Sequence, residues 1–311
     1  MPCPRPLQHA HPIVFASWAL LLLAGVLGLP AEAAPSGQAT PTPRQASVYR
    51  WVDTWAQADW HASAGRFASA GDITVDGAGR HYLIDRVHDA VHVLASDGRP
   101  LALWRLHAED PASHARRLDA APDGSIWVLS WRENAFGQPT SQIERFSSAG
   151  QRLGAWWDAR PFGDIAIGPE GRLYLSVASD RPRIVVLSDA AVEVAEFGAA
   201  ELQVPVALDL DAEGRIYVVN HGRSIGTAPT PSPGPPPTRE PSLASGQSAT
   251  PEPAATDGVL VFAPRSFAFE RAHPIPGVGD VASGPAGTFV SRELEILPLD
   301  RPDRPLYALP F

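Results

Sequence analysis

The chain has 311 residues, a net charge of −9, and 25 basic residues that are every one arginine. Without lysine there is no Schiff-base or lysine general-base chemistry, and the acidic balance with scattered arginines argues against nucleic acid as a partner. The only cysteine is Cys3, so the body of the chain offers no disulfide, no thiolate nucleophile and no cysteine-held zinc.

The amino-terminal stretch reads as an export signal. Arg5 precedes an apolar run from Ile13 to Leu29, and Ala31, Glu32 and Ala33 form a small-residue cleavage pattern. The alternative is an uncleaved anchor, because seventeen mostly apolar residues sit at the lower limit for a span. Residues 1–33 are thus expected to be a signal peptide, the protein secreted or periplasmic, with no other membrane contact. Residues 34–47 are rich in Pro and Thr and too poor in apolar side chains to fold.

The folded body is expected over 48–311. Val48–Trp55 matches segments that close later repeats, such as Gln151–Trp156 and Val192–Phe197. It reads as an outermost strand that arrives before its own blade and closes a ring. Thereafter five alternating runs each end at a glycine, namely Gly79, Gly124, Gly171, Gly214 and Gly287, and a more apolar run follows at once. Their spacings are 45, 47, 43 and 73 residues. The last shortens to the common period if a Pro-rich insertion at about 224–256 is set aside.

Each repeat resolves into four short strands, a to d. In the first these are about Ile73–Asp76, Tyr82–Ile84, Val91–Leu94 and Leu101–Trp104, with turns at Gly77–Gly79 and Ser96–Gly98. The b strands are apolar on both faces, as a sheet covered on both sides requires. The fifth repeat is weaker, because Ser283–Gly287 and Ser291–Leu294 interrupt its apolar pattern. The reading is an all-β propeller of four-stranded blades, five recognisable repeats plus the amino-terminal strand, closed as five or six blades.

Gly71–Asp85 with Val91–Gly98, and Asp209–Asn220 with Gly258–Phe262, resemble the NHL repeat family and related six-bladed propellers over about residues 48–311. Gluconolactonase-like propellers are a more distant resemblance. The resemblance implies architecture more than activity, since such propellers include sensors, scaffolds, hydrolases and lyases.

The a-to-b and c-to-d turns are uniformly short, whereas the b-to-c connections are elaborated at Arg132–Thr140 and at about 224–256. Variable loops on one face of a regular scaffold are where binding residues collect. The candidate ligand-binding residues at that mouth are Asp85, Arg86, His88, Trp131, Arg132, Asn220, His221 and Arg223. Asp85, Glu133 and Asn220 offer oxygen ligands of the kind calcium takes, and gluconolactonase-like propellers are implied to hold such an ion. Asp85 and Asn220 equally suit capping of a turn. His88, His107, His114, His221 and His273 share no metal-like spacing, and His92 reads as an interblade residue. Asp72, Asp164 and Asp280 recur at equivalent places, either as an acidic ring in the channel or as caps on the backbone of the next blade. Trp131 is either a packing residue or an aromatic platform beside arginines for a sugar or organic anion.

No catalytic residue, metal site or cofactor is assigned. The expected function is an exported binding module for a protein or small-molecule ligand on the b-to-c face, leaning away from an enzyme. The rival is a metal-dependent hydrolase or lyase of the gluconolactonase-like type, and a third possibility is a structural spacer.

Overall fold

The computed structural model describes residues 68–107, 112–179, 181–222, 257–293, 295–303 and 306–308. Twenty strands form five antiparallel four-stranded sheets, and each sheet is one repeat. Blade 1 contains β1 (Ala70–Val75), β2 (His81–Asp85), β3 (Ala90–Leu94) and β4 (Pro100–Arg105). Blade 2 contains β5 (His114–Ala120), β6 (Ile126–Glu133), β7 (Pro139–Phe146) and β8 (Arg152–Asp158). Blade 3 contains β9 (Phe162–Ile167), β10 (Leu173–Val177), β11 (Arg183–Leu187) and β12 (Glu193–Phe197). Blade 4 contains β13 (Val204–Leu210), β14 (Ile216–His221), β15 (Gly258–Phe262) and β16 (Phe269–Pro274). Blade 5 contains β17 (Val278–Gly284), β18 (Gly287–Arg292), β19 (Glu295–Pro298) and β20 (Tyr307–Ala308). The molecule is a five-bladed β-propeller with the a strands around the axis. No helix among the described residues is long and apolar enough to cross a membrane.

The turn glycines do what the repeat pattern requires. Gly79, Gly124, Gly171 and Gly214 have φ between 76° and 82°, a region that costs other residues a Cβ clash. Their N–H groups bond back to Asp76, Ala121, Gly168 and Asp211. The turn aspartate fastens the next strand as well. Asp76 accepts the Tyr82 hydroxyl at 2.9 Å and Asp211 accepts that of Tyr217 at 3.0 Å.

The core lies between blades. Tyr82, Ile84, Val91 and Val93 of blade 1 pack with Ala115, Leu118, Ile126 and Val128 of blade 2. Corresponding clusters join blades 2 and 3, blades 3 and 4, and blades 4 and 5. The b and c strands are therefore buried on both faces, while the outer d strands keep exposed residues such as Leu153, Trp157 and Val194.

Of the two blade numbers left open, the ring has five. The outermost strand described in the last blade is β20, which pairs with β19 through Glu295 and Ala308; Val48–Trp55, expected as a closing outermost strand, lies outside the described residues. One expectation is corrected. The supposed loop Arg132–Thr140 is largely strand, because β6 and β7 continue their ladder to Arg132↔Thr140 and Glu133↔Pro139. The alternation of Ser130, Trp131 and Arg132 with Thr140, Ser141 and Gln142 is short but sufficient to extend the hairpin. It closes on Asn134, whose side chain accepts the N–H groups of Phe136 and Gln138.

Candidate functional site

The axis of the ring is lined by the five a strands, and around it lies a cavity of about 190 Å³. Two positions along these strands carry charge. One holds Asp72, Arg117, Asp164 and Asp280; two residues further on lie Asp119 and Asp209, with Thr74 at that place in blade 1. Period-two spacing places both positions on the same side of a strand.

Four of these aspartates are interblade caps. Asp72 accepts the N–H of Ile73 from its own strand and of Leu118 from blade 2, each at 2.9 Å. Asp119 accepts from Ala120 and from Ile167 of blade 3. Asp164 does the same with Ile165 and Leu208, and Asp209 with Leu210 and Ser283. Between the two expectations for the recurring aspartates, the geometry of Asp72 and Asp164 is that of backbone caps.

Burial sets the proton affinity of these groups. It pushes the Asp72 carboxyl up to about 7 against the attraction of Arg117, while Asp164 and Asp280 push it the same way. Asp119 rises to about 6 for the same first reason, and Asp209 rises well above the ordinary carboxylate range. Arg117 is the cation of this layer, with its Nε 3.2 Å from Asp164 Oδ1.

At the mouth, every a strand is bulged where it enters its blade. The residue in the bulge is Gly71, Arg116, Gly163, Val206 or Gly279 in blades 1 to 5. Bulges re-aim side chains, and only blade 2 aims a charged one. Register also fixes the residue just past strand b. Ser130 pairs with Ala115 as Asp85 pairs with Ala70 and Asn220 with Pro205, so Arg86, Trp131, Ala178 and His221 are equivalent.

The expected site residues now take definite places. Asp85 is fully buried and accepts N–H groups from Ala68, Ser69, Val87 and His88, with His88 Nδ1 at 2.8 Å. Burial alone raises it; the His88 contact and the N–H bonds outweigh that and hold it below its ordinary value. Asn220 accepts from Gln203 and Val204. With those oxygens committed to backbone, the donor set does not fit a calcium ion, and no cluster of three His, Cys, Asp or Glu side chains among the described residues is arranged to hold a metal.

Trp131 donates its indole N–H to Phe162 of blade 3 at 2.6 Å, and His221 Nε2 meets the carbonyl of Val278 in blade 5 at 2.7 Å. Both rings clip onto the first residue of the next blade's a strand. Arg132, one residue on, leaves for the rim, where its guanidinium lies 5.5 Å from the Trp157 ring. Trp131 and Arg132 therefore do not share a surface. Arg86 and Trp131 converge on the mouth, and Arg223 lies outside the described residues. The residue that sequence reasoning missed there is Arg116, whose guanidinium lies 4.3 Å over the Trp131 ring. Its only signal in the sequence is a bulky side chain where three other repeats have glycine.

A second polar group lies between blades 1 and 2. His107 is bonded at Nδ1 by Asp89 at 2.8 Å and at Nε2 by Glu144 at 2.5 Å, with Ser130 Oγ at 3.2 Å. Ser, His and Asp stand in line, yet Glu144 occupies the nitrogen a nucleophilic serine would need, and Ser130 is fully buried. Burial lowers His107, but the two carboxylates outweigh it and push it up to about 9. An imidazolium held this way is an interblade ion pair and has no free base to offer.

Comparison with solved structures finds propellers. A gluconolactonase from Xanthomonas campestris superposes with a TM-score of 0.52 at 15% identity, covering 74% of this chain and 71% of that one. A virginiamycin B lyase from Staphylococcus aureus gives 0.42 at 13%, covering 73% and 79%, and a Bacteroides caccae protein of unknown function gives 0.48 at 9%, covering 75% and 79%. The likeness to the gluconolactonase agrees with the propeller fold and shows nothing finer. No family model and no curated protein matches the chain, so the NHL resemblance rests on the repeat residues alone.

Proposed function

We propose that this protein is an exported binding propeller that recognises its ligand at the b-to-c mouth, where the a-strand bulges meet the ends of the b strands. One observation carries this reading: Arg86 and Arg116 stand at the mouth, the charge of Arg116 disfavouring that of Arg86, and neither has a carboxylate partner among the described residues. On the opposite face the a-to-b turns at Gly79, Gly124, Gly171 and Gly214 are each closed by their own backbone bond. Export rests on the signal-like sequence of residues 1–33.

The test is a thermal-shift screen of small molecules against the wild type and two variants. Arg86→Gln, at the mouth, is expected to erase the shift of any true ligand, and Arg99→Gln, on the plain face, to preserve it. Hits that survive Arg86→Gln and vanish with Arg99→Gln would refute the placement.

A hydrolase or lyase reading is supported by the shared fold with the Xanthomonas gluconolactonase. It requires a metal ion that the committed oxygens of Asp85 and Asn220 do not favour. Elemental analysis of the purified protein decides it: stoichiometric calcium or zinc would restore that reading.

A further inference from the structure

The blade 1 to blade 2 junction departs from its counterparts at the mouth. Blade 2 reaches blade 3 through Trp131, and blade 4 reaches blade 5 through His221, each ring meeting a carbonyl beside a bulge glycine. Between blades 3 and 4 the equivalent residues are Ala178 and Val206, both uncharged. Between blades 1 and 2 they are Arg86 and Arg116. Two cations stand where the three junctions from blade 2 to blade 5 place a neutral clip or an apolar contact.

Arg86 folds back over the neighbouring strand of its own blade and donates from Nη2 to the carbonyl of Gly71 at 3.2 Å. Only glycine permits that course, since a Cβ at position 71 would stand 2.8 Å from Arg86 Cγ. Arg116 makes no hydrogen bond to any described residue and rests on Trp131. The Nε atoms of both are inaccessible to solvent and have no hydrogen-bond partner. Buried guanidinium N–H groups without acceptors are costly. An arginine also cannot relieve the cost by releasing its proton.

We propose that Arg86 and Arg116 together bind an oxyanion group, carboxylate or phosphate, of a small organic ligand, placed between the two guanidiniums at the mouth of the blade 1 to blade 2 junction. This rests on the mouth being the binding face. The forked N–H donors of arginine match the paired oxygens of such groups. The surrounding charges agree. Burial first, then Arg117 and Arg116, disfavour the charged form of Arg86, while Asp72 favours it. Arg116 is disfavoured by burial and by Arg117. Arg117 itself is engaged with Asp164, and Asp72 spends its oxygens on Ile73 and Leu118. An anion would supply both the missing acceptors and the missing charge.

The experiment is calorimetric titration of succinate and, separately, inorganic phosphate at fixed ionic strength into the wild type, Arg86→Gln, Arg116→Gln, the double variant and Arg99→Gln. Saturable binding of at least one probe is expected, and the two arms tell carboxylate from phosphate. Each single mouth variant should bind about tenfold more weakly or worse, the double variant should show no binding, and Arg99→Gln should match the wild type. The singles decide the matter should the double fail to fold. Absence of saturable binding of both probes to the wild type, or unchanged binding in both singles, overturns the proposal. A neutral ligand that needs Trp131 or Arg86 but no charge would overturn it too and leave the mouth as the binding face.

Discussion

Asp209 of the fourth blade accepts the backbone N–H of Ser283 in the fifth at 2.5 Å, across seventy-four residues of chain. The same carboxylate receives Leu210 of its own strand. One side chain thus ties two blades at the axis, as Asp72, Asp119 and Asp164 do at the three preceding junctions. Propeller blades meet through side chains and not through a shared ladder, so a few polar ties near the axis set how they are angled.

Replacing Asp72 by alanine should therefore destabilise the fold by about 2–3 kcal/mol, since two buried N–H groups lose their acceptor. Urea denaturation measures it. A loss below a few tenths of a kcal/mol would mean that water replaces the carboxylate at no cost.

The same residue gives a pH dependence with a definite sign. Its folded value of about 7 lies above the ordinary 3.8, so between those limits the folded state holds a proton that the unfolded chain releases. Stability contributed by this group falls as pH rises from about 4 to 7. Asp119, with a value of about 6, acts in the same direction. His81, His92 and His273, all held below their ordinary value by burial, oppose the trend below about pH 6.5 but cancel in a comparison with Asp72→Asn. The wild type minus Asp72→Asn difference should fall by a few kcal/mol across that window.

His107 predicts a complementary window. Its value is raised from 6.5 to about 9 by Asp89 and Glu144. The stability it adds is complete below about pH 6.5 and is lost as pH rises through 9. Relative to His107→Gln, the wild type should gain on the order of 3 kcal/mol at pH 6 and little at pH 10. A pH-independent difference would show that the imidazole is neutral throughout.

Gly71→Ala should cost about 1–3 kcal/mol by overpacking, because the new methyl meets Arg86 Cγ at 2.8 Å and Ile84 Cγ2 at 2.9 Å. It should also displace Arg86 and weaken oxyanion binding. Gly77→Ala, whose Cβ would meet nothing within 4 Å, is the control that should leave binding unchanged.

The fold was legible because its determinants are local. Gly79, Gly124, Gly171 and Gly214 mark turns that only positive φ satisfies, and the apolar b strands announce a sheet covered on both faces. Blade closure was harder to read. β20 is two residues long, Tyr307–Ala308, and has no periodicity to detect. The Arg132–Thr140 hairpin reads as a loop in sequence because Asn134, Gly137 and Pro139 are turn residues, and only register shows that they cap a longer ladder. At the site, Asp85, Trp131 and His221 were visible as strand-end residues. Arg116 was not, since a bulge shifts the facing of one residue in a way that no alternating pattern records. His107, Asp89 and Glu144 come from three separate segments and meet only through blade packing.

The most direct test of the account is hydrogen–deuterium exchange of the wild type with and without a ligand found by thermal shift. The account predicts slowed exchange at the mouth, in the segments around Gly71, Arg86, Arg116 and Trp131, with the turns at Gly79, Gly124, Gly171 and Gly214 unchanged. Protection confined to those turns, on the opposite face of the ring, would contradict it.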